Sequence, residues 1–253
     1  MSAGPPSQRD TGGGAQALSQ ARADAEAVVA RYARREVGDL YSPLRPEVVL
    51  LLQERQRAML RLFARVGLVD PAGIDALEVG CGSGGNLLEL LRLGFAPERL
   101  AGIELLPERH AQARRVLPAA TRLWLGDAGD AAGLPLAPGS QQLVLQATVF
   151  SSLLEPASQR RLADAMWRWL RPGGGVLWYD LAYDNPRNPD VQGLPLARVR
   201  ALFPQGDILH AERVTLAPPL ARALCRLHPT LYGVFNALPL LRSHWLAWIG
   251  KPR

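Results

Sequence analysis

A glycine-rich turn between an apolar stretch and a helical pattern is the part of this sequence best suited to bind a ligand. The apolar stretch ends in Glu78-Val79, and Gly80-Cys81-Gly82-Ser83-Gly84-Gly85 follows it directly. Glycines allow positive φ and a close approach of the backbone to a ligand, and the N–H groups that open the next helix point towards that ligand. The sequence therefore predicts a ligand-binding turn at residues 80–86.

Two classes of ligand are compatible with this turn. The spacing Gly80-x-Gly82-x-x-Gly85 satisfies the dinucleotide fingerprint. Glu104 follows at the distance expected of a carboxylate that binds ribose hydroxyls, which suits a dinucleotide and other nucleosides equally. Glu78, two residues before the first glycine, would repel a pyrophosphate and attract an amino group. The charge of Glu78 therefore favours an amino-bearing ligand, while the glycine spacing leaves both classes open.

The elements around the turn alternate between strand and helix. Such alternation predicts parallel strands joined by right-handed crossovers. The predicted strands are residues 74–79, 99–104, 121–126, 141–148 and 176–181, and the predicted helices between them are 85–93, 107–117 and 156–170. A helix at 196–202 and strands at 207–216 and 243–249 complete the pattern.

Residues before and after this alternating region form additional segments. We predict a disordered leader at 1–14, because it holds few apolar side chains that could offset its ordering entropy. Helices are predicted at 15–37 and 46–66, which gives an N-terminal helical lid at 15–70 and a main domain at 71–253. An apolar insertion at about 217–242 interrupts the main domain. It is expected to pack on the sheet or form a dimer contact, or to act as a helical cap over the acceptor or an interfacial helix.

The run Glu78-Val79-Gly80-Cys81-Gly82-Ser83-Gly84 closely resembles motif I of the class I S-adenosylmethionine-dependent methyltransferases. Later motifs of that family resemble three segments in the same order: Gly126-Asp127-Ala128, Gln146-Ala147-Thr148, and Leu170-Arg171-Pro172-Gly173-Gly174-Gly175. The resemblance covers residues 74–181. It implies a Rossmann-like α/β fold with a mostly parallel seven-stranded sheet, an antiparallel last strand and helices on both faces. It also implies S-adenosylmethionine as the cofactor.

The resemblance carries specific residues into the expected cofactor site. Glu104 corresponds to the acid that accepts hydrogen bonds from both ribose hydroxyls. Asp127 corresponds to the acid that accepts a hydrogen bond from the adenine amino group, and the Ala128 N–H would donate to a nitrogen of the adenine ring. N-terminal helices often close over the cofactor in this family, so Tyr32, Arg35 and Tyr41 are expected lid contacts. No metal is expected. The full cofactor-binding set is Glu78, Gly80, Cys81, Gly82, Gly84, Asn86, Glu104, Leu105, Asp127, Ala128, Gln146, Ala147 and Thr148.

Methyl transfer to an alcohol or phenol would require a general base within hydrogen-bond reach. Asp180, Tyr183 and Asp184 follow the fifth predicted strand and are candidates for that role, and His228 in the insertion is a further candidate. The expected acceptor is a small molecule methylated on oxygen, such as a sugar, lipid-linked glycan or secondary metabolite of bacterial type. The alternatives are an NAD(P)-dependent oxidoreductase and a non-catalytic module that binds S-adenosylmethionine.

Composition argues against several other functions. The 253 residues carry a net charge of +6 and a pI near 10, but the arginines are scattered and Lys251 is the only lysine, so a nucleic-acid partner is not expected. Cys81 and Cys225 match no zinc or disulfide-exchange spacing. Without a signal-peptide pattern or an 18-residue apolar run, we expect a cytoplasmic monomer or homodimer, with possible peripheral contact with a membrane or a lipid-linked substrate.

Overall fold

A mixed β-sheet lies at the centre of the computed structural model, which describes residues 12–34, 42–130, 133–186 and 188–253. The strands within these residues are β1 (Ala76–Val79), β2 (Leu100–Glu104), β3 (Arg122–Leu125), β4 (Gln141–Ala147), β5 (Leu170–Leu181), β6 (Asp207–Leu216) and β7 (Arg242–Gly250). Their spatial order is β3-β2-β1-β4-β5-β7-β6. The first five strands are parallel to one another, and β7 pairs antiparallel with both β5 and β6.

Helices cover both faces of this sheet. Within the described residues they are α1 (Gly12–Ala33), α2 (Pro46–Arg65), α3 (Gly85–Arg92), α4 (Pro107–Val116), α5 (Pro156–Trp169), α6 (Leu196–Leu202), α7 (Pro218–Leu227) and α8 (Thr230–Asn236). Proline occupies the first turn of α2, α4, α5 and α7, where its missing N–H costs no hydrogen bond. Among the described helices, none is both long and apolar enough to span a bilayer.

The strand order confirms the predicted fold class, including the antiparallel last strand. Two apolar cores flank the sheet. Trp169, Trp178 and Phe150 belong to the core on the α5 side, while Leu62 and Leu87 belong to the core on the α2 side. Both cores are needed because parallel strands are buried on both faces.

The fifth strand begins earlier than the sequence predicts. It is predicted at residues 176–181, but β5 already begins at Leu170, with an irregular register opposite Gln141 and Leu143. A side chain at Gly175 would come within 2.2 Å of the Trp248 ring, and one at Gly174 within 2.6 Å of a backbone oxygen of Gln142. These glycines therefore admit close packing across strands that are distant in sequence.

The two N-terminal helices have different positions. α1 begins at Gly12, and residues 1–11 and 35–41 lie outside the described residues. α2 packs Ala58, Leu62 and Phe63 into the core beside the sheet. The predicted lid segment 15–70 therefore contains one helix, α2, that covers the sheet and another, α1, that contributes no described residue to this core.

The predicted insertion at 217–242 connects β6 and β7. It consists of α7, α8 and a short turn of 3₁₀ helix at Pro239–Leu241. Leu224, Cys225 and Tyr232 form a small third core with Leu216 of β6, and Leu50 and Leu51 of α2 pack against it. The breaks between the helices come at Pro229 and near Pro239, because proline cannot continue a helix.

Candidate functional site

An open cleft lies where the first four strands end. Its empty volume is about 910 Å³, counting space open to solvent. Open α/β sheets bind ligands at the carboxyl ends of their strands, so this is the expected position for a site. The described residues that line the cleft are Asp24, Ala25, Val28, Tyr32, Val79, Gly80, Ile103, Glu104, Leu105, Leu106, Arg109, Gly126, Asp127, Ala128, Gly129, Ala147, Thr148, Val149, Ser152, Leu153, Ser158, Arg161 and Leu162.

The glycine turn has the backbone conformation that its sequence predicted. Gly80, Gly82 and Gly84 all have positive φ, at 65°, 56° and 87°. A Cβ at Gly80 would lie 2.6 Å from Cγ2 of Val149, and one at Gly84 would lie 2.9 Å from Cδ1 of Leu117. The glycines therefore let the turn pack tightly against neighbouring loops. Of the turn residues, Gly80 lines the cleft, whereas Gly82 and Gly84 shape the turn from behind it.

Cys81 is buried inside this turn. Its backbone N–H donates to the Ile103 carbonyl at 2.9 Å, which fixes the turn against β2. Burial raises the pKa of the Cys81 thiol, and the nearby Glu78 and Glu104 raise it further. The thiol therefore stays protonated, and the structure gives Cys81 a packing position rather than the setting of a nucleophile.

Glu104 connects the glycine turn to the loop after β2. Its Oε2 accepts the Gly82 N–H at 2.7 Å, and its Oε1 accepts the Leu106 N–H at 2.8 Å. The side chain is almost fully buried, yet it borders the cleft beside Leu105. Each carboxylate oxygen has a further lone pair, so Glu104 is held in place and can still accept hydrogen bonds from a ligand.

The loop after β3 presents Asp127 and Ala128 to the cleft. Asp127 Oδ1 accepts the Gly129 N–H at 2.7 Å, which forms a tight local turn. This bond fixes the carboxylate at the cleft wall and leaves Oδ2 for another partner. Ala128 is buried next to it. The structure thus brings Glu104, Leu105, Asp127 and Ala128 together along one side of the cleft.

The end of β4 contains a strained residue at the cleft. Thr148 has φ of +57°, a conformation that β-branched residues rarely adopt. Its N–H donates to the Tyr179 carbonyl at 2.8 Å, and its hydroxyl donates to the Ala147 carbonyl at 2.7 Å. Thr148 and Ala147 line the cleft, whereas Gln146 is fully buried and its Oε1 accepts the Val149 N–H at 3.2 Å. Such strain is common where a loop is shaped for function.

Glu78 and Asn86 lie away from the cleft. Val79 faces the cleft, so its neighbour Glu78 points to the opposite face of the sheet. There Asn86 Nδ2 donates to Glu78 Oε1 at 2.6 Å, and Arg55 donates to Asn86 Oδ1 at 2.6 Å. Within the described residues Glu78 Oε2 has no hydrogen-bond partner. Burial raises the pKa of Glu78 to about 8, although the Asn86 bond and Arg55 oppose this shift.

A second buried polar cluster lies near Glu78 on the α2 side. The Tyr179 ring stacks on the His244 ring with centroids 4.8 Å apart, and the Tyr179 hydroxyl lies 2.8 Å from the Thr215 hydroxyl. Glu54 of α2 accepts the Thr215 N–H at 3.0 Å, and the Arg55 guanidinium lies over the Tyr179 ring. Burial lowers the pKa of His244 to about 3 and raises that of Tyr179 to about 12. The cluster joins Glu54 and Arg55 of α2 to Tyr179, Thr215 and His244 of the C-terminal strands.

None of the four predicted proton acceptors lines the cleft. Asp180 is buried and accepts the Ser151 and Leu181 N–H groups at 3.2 and 2.9 Å. Burial raises its pKa to about 6. The Tyr183 hydroxyl donates to the Arg242 carbonyl, Asp184 accepts the Gly193 N–H, and His228 bonds to Thr230 on the exposed end of α7. Asp180 thus supports the loop after β4, and the other three residues bond to groups outside the cleft.

α1 contributes contacts at the cleft beyond the expected Tyr32. Asp24 accepts a hydrogen bond from the Ser158 hydroxyl and lies 3.7 Å from the Arg161 guanidinium. Arg31 donates to the Ser152 carbonyl at 2.9 Å. The sequence predicted a helical lid here, and the spacing of Ala25, Val28 and Tyr32 indicated its buried face, but no motif singled out Asp24 or Arg31.

Tyr32 is a predicted lid contact that does line the cleft. The Arg109 guanidinium lies over its ring, 4.8 Å from the centroid. The other two expected lid contacts, Arg35 and Tyr41, lie outside the described residues. α1 therefore borders the cleft opposite the strand ends, attached through α4, α5 and the loop after β4.

The cleft lies largely within a segment that is recognisable by sequence. Residues 76–174 match a family model described as a methyltransferase domain. This segment carries the glycine turn, Glu104, Asp127 and Thr148, and it spans less than half of the chain. No curated protein matches the sequence.

Solved structures share the fold over most of the chain at low sequence identity. Geranyl diphosphate C-methyltransferase from Streptomyces coelicolor A3(2) is 16% identical with a TM-score of 0.59, covering 86% of this chain and 83% of that one. An S-adenosylmethionine-dependent methyltransferase from Mesorhizobium loti is 14% identical with a TM-score of 0.54, covering 74% and 96%. The 4+2 cyclase SpnF is 17% identical with a TM-score of 0.55, covering 79% and 82%. These similarities show a shared fold beyond the methyltransferase-domain segment.

Proposed function

We propose that this protein is an S-adenosylmethionine-dependent methyltransferase that binds its cofactor in the cleft. The observation that carries the proposal is Glu104, a fixed carboxylate at the cleft between the glycine turn and the loop after β2. It lies inside the methyltransferase-domain segment. A vicinal diol is a good partner for such a group, because the two carboxylate oxygens can each accept a hydrogen bond from one hydroxyl.

The described residues fit this cofactor. Glu104 would hold the ribose hydroxyls, and Asp127 with the Ala128 N–H would hold the adenine. The tight backbone of Gly80 and the adjoining Ala147 and Thr148 would border the methionine part. When bound, S-adenosylmethionine supplies a methyl group activated by a sulfonium. The contribution of the protein is to orient the acceptor and exclude water from the cleft.

Glu78 no longer separates this proposal from the NAD(P) alternative. A charged Glu78 facing the ligand would favour an amino group over a pyrophosphate, but Glu78 is buried away from the cleft with a pKa of about 8. It is therefore mostly uncharged at neutral pH. The methyltransferase proposal is instead supported by the match of residues 76–174 and by the position of β7 between β5 and β6.

We further propose that the acceptor is a small molecule methylated on oxygen. Support comes from the hydroxyls of Thr148 and Ser152, which border the cleft and can hydrogen-bond to an acceptor hydroxyl. Asp24 offers a carboxylate from α1 at the same cleft. Asp180, Tyr183, Asp184 and His228 stay predictions as proton acceptors, and Asp180 is bonded to the Ser151 N–H in the loop after β4.

Calorimetric titration of the protein with S-adenosylmethionine, S-adenosylhomocysteine and NAD tests the cofactor. We expect both adenosyl ligands to bind at micromolar concentrations and NAD to give no heat. Binding of NAD alone would support the oxidoreductase alternative and overturn the proposal.

The reaction requires a separate test, because a non-catalytic module would also bind the cofactor. A mixture of hydroxylated small molecules is incubated with cofactor carrying an isotope-labelled methyl group, and the products are analysed by NMR. We expect the label at the chemical shift of an O-methyl group. Label only at N- or C-methyl shifts would overturn the oxygen assignment.

A further inference from the structure

The C-terminal part of the chain carries only positive charge. After Glu212 the sequence contains no aspartate or glutamate. This acid-free segment includes β7 and the helices α7 and α8 between the last two strands. Its charged residues are Arg213, Arg222, Arg226, Arg242, Lys251 and Arg253.

Large aliphatic side chains are exposed on these helices and on the residues that follow α8. One face of α7 and α8 is buried against β6 and α2 through Ala221, Leu224, Cys225 and Tyr232. We call the four exposed large aliphatic side chains of this segment the aliphatic rim: Leu227, Val234, Leu238 and Leu240, with relative exposures of 77%, 64%, 54% and 84%.

The exposed charge beside the aliphatic rim is positive. Arg226 is exposed and Arg222 half-buried, and within the described residues neither forms an ion pair. Two acidic residues of α2 lie near α7 and α8. Glu47 is mostly buried and paired with Arg45 at 3.5 Å, and Glu54 is buried and accepts the Thr215 N–H. Neither acid therefore presents free negative charge at the surface beside the rim.

We propose that the aliphatic rim and the two arginines form a docking surface for an anionic phospholipid bilayer. Aliphatic side chains that enter the headgroup region lose contact with water, and nearby arginines pair with lipid phosphates. Buried apolar area and attraction to anionic lipids are the two contributions that set the strength of interfacial binding. The docking is independent of the function proposed for the cleft.

Two other occupants fit the surface less well. A symmetric contact between two copies of this face would bring the positive charges of both copies together, with no acid in the segment to offset them. Single-stranded nucleic acid is bound by aromatic side chains that stack on bases, and the rim is aliphatic. A lipid surface matches both the apolar character and the charge.

Vesicle flotation of the full chain tests the proposal. We expect binding to vesicles of phosphatidylcholine and phosphatidylglycerol, weaker binding as salt rises, and little binding to phosphatidylcholine alone. The double variant Leu227→Glu/Leu240→Glu should bind at least tenfold more weakly. Arg222→Gln and Arg226→Gln should each weaken binding about fivefold at low salt.

A matched control is Val69→Glu, because Val69 is 86% exposed in the loop after α2 and outside the acid-free segment. It should bind anionic vesicles like the unmodified protein, and circular dichroism should show every variant folded. The proposal is overturned if anionic vesicles fail to bind, or if Val69→Glu loses as much binding as the rim variant. It is also overturned if only the arginine variants lose binding, which would indicate general attraction to polyanions. A dimer in ultracentrifugation that Leu240→Glu abolishes would assign the rim to a second copy instead.

Discussion

Glu78 and Glu104 are acidic residues near the ends of neighbouring strands, yet they differ in environment. β1 pairs with β2 so that Glu78 lies opposite Gly102, two residues before Glu104. Glu78 therefore lies one pleat deeper in the sheet, beneath α3, while Glu104 reaches the open end of the strands. The sequence predicted both residues at the ligand, because their distance from the glycines is visible in the sequence and the register of β1 against β2 is not.

Replacing Glu104 should weaken cofactor binding directly. Glu104→Ala removes the proposed acceptor of the ribose hydroxyls, and hydrogen bonds to a charged group contribute about 1.5–3 kcal/mol each. We expect the dissociation constants of S-adenosylmethionine and S-adenosylhomocysteine to rise at least tenfold in calorimetry. The control Glu98→Ala changes an exposed acid just before β2 and should leave both constants unchanged. Unaltered affinity in Glu104→Ala would remove the ribose assignment.

Glu78 should make the stability of the protein depend on pH. Its pKa is raised in the folded state, so the folded protein binds the proton more tightly than the unfolded chain does. Its contribution is fully present below the unfolded pKa near 4.5 and is lost as pH rises through about 8. Across pH 6.5–8, above the pKa of about 6 at Asp180, the free energy of unfolding should fall by up to about 1.4 kcal/mol per pH unit.

Glu78→Gln isolates this effect. Glutamine keeps an oxygen for the Asn86 amide and cannot ionise. Urea unfolding at several pH values should therefore show a flatter profile for the variant than for the unmodified protein. Parallel profiles for the two proteins would show that Glu78 does not titrate in this window.

At the scale of elements, the sequence predicted local features better than long-range packing. The strand at residues 207–216 and the helix starts at Pro46, Pro107 and Pro156 agree with the structure, because proline and apolar alternation act locally. The position of the glycine turn agrees for the same reason. The early start of β5 was missed because Leu170 pairs with Gln141 of β4, which is distant in sequence. The contribution of Asp24 to the cleft was missed because its partners Ser158 and Arg161 are equally distant in sequence.

The glycine turn gives a matched pair of variants. Gly80→Ala would add a Cβ 2.6 Å from Val149 Cγ2 at φ of +65°, so we expect a loss of about 1–3 kcal/mol of stability and weaker cofactor binding. Gly85→Ala adds a Cβ with no heavy atom within 4 Å and no positive φ, so it should be tolerated. Thermal unfolding and calorimetry compare the two. Equal tolerance of both substitutions would contradict the packing described for the turn.

The attachment of α1 should control release of the bound cofactor. Arg31→Ala removes the hydrogen bond to the Ser152 carbonyl at the cleft wall. We expect S-adenosylhomocysteine to dissociate roughly threefold to tenfold faster in stopped-flow experiments, with little change in melting temperature. Arg34→Ala, an exposed residue after the end of α1, should match the unmodified protein. An unchanged dissociation rate in Arg31→Ala would show that α1 does not retain the ligand.

At the scale of the whole molecule, the fold alone does not determine the reaction. A geranyl diphosphate C-methyltransferase and a 4+2 cyclase share it with this chain at similar TM-scores. The case for methyl transfer therefore depends on the matched segment and on the residues that border the cleft. The proposed membrane surface lies outside that segment, where the sequence offered an apolar pattern but no partner.

A crystal structure of the protein with S-adenosylhomocysteine tests the central claim most directly. The account predicts the ligand in the cleft, with both ribose hydroxyls within hydrogen-bond distance of Glu104 and the adenine against Asp127 and Ala128. A ligand bound elsewhere, or a ribose in the cleft that does not contact Glu104, would contradict it.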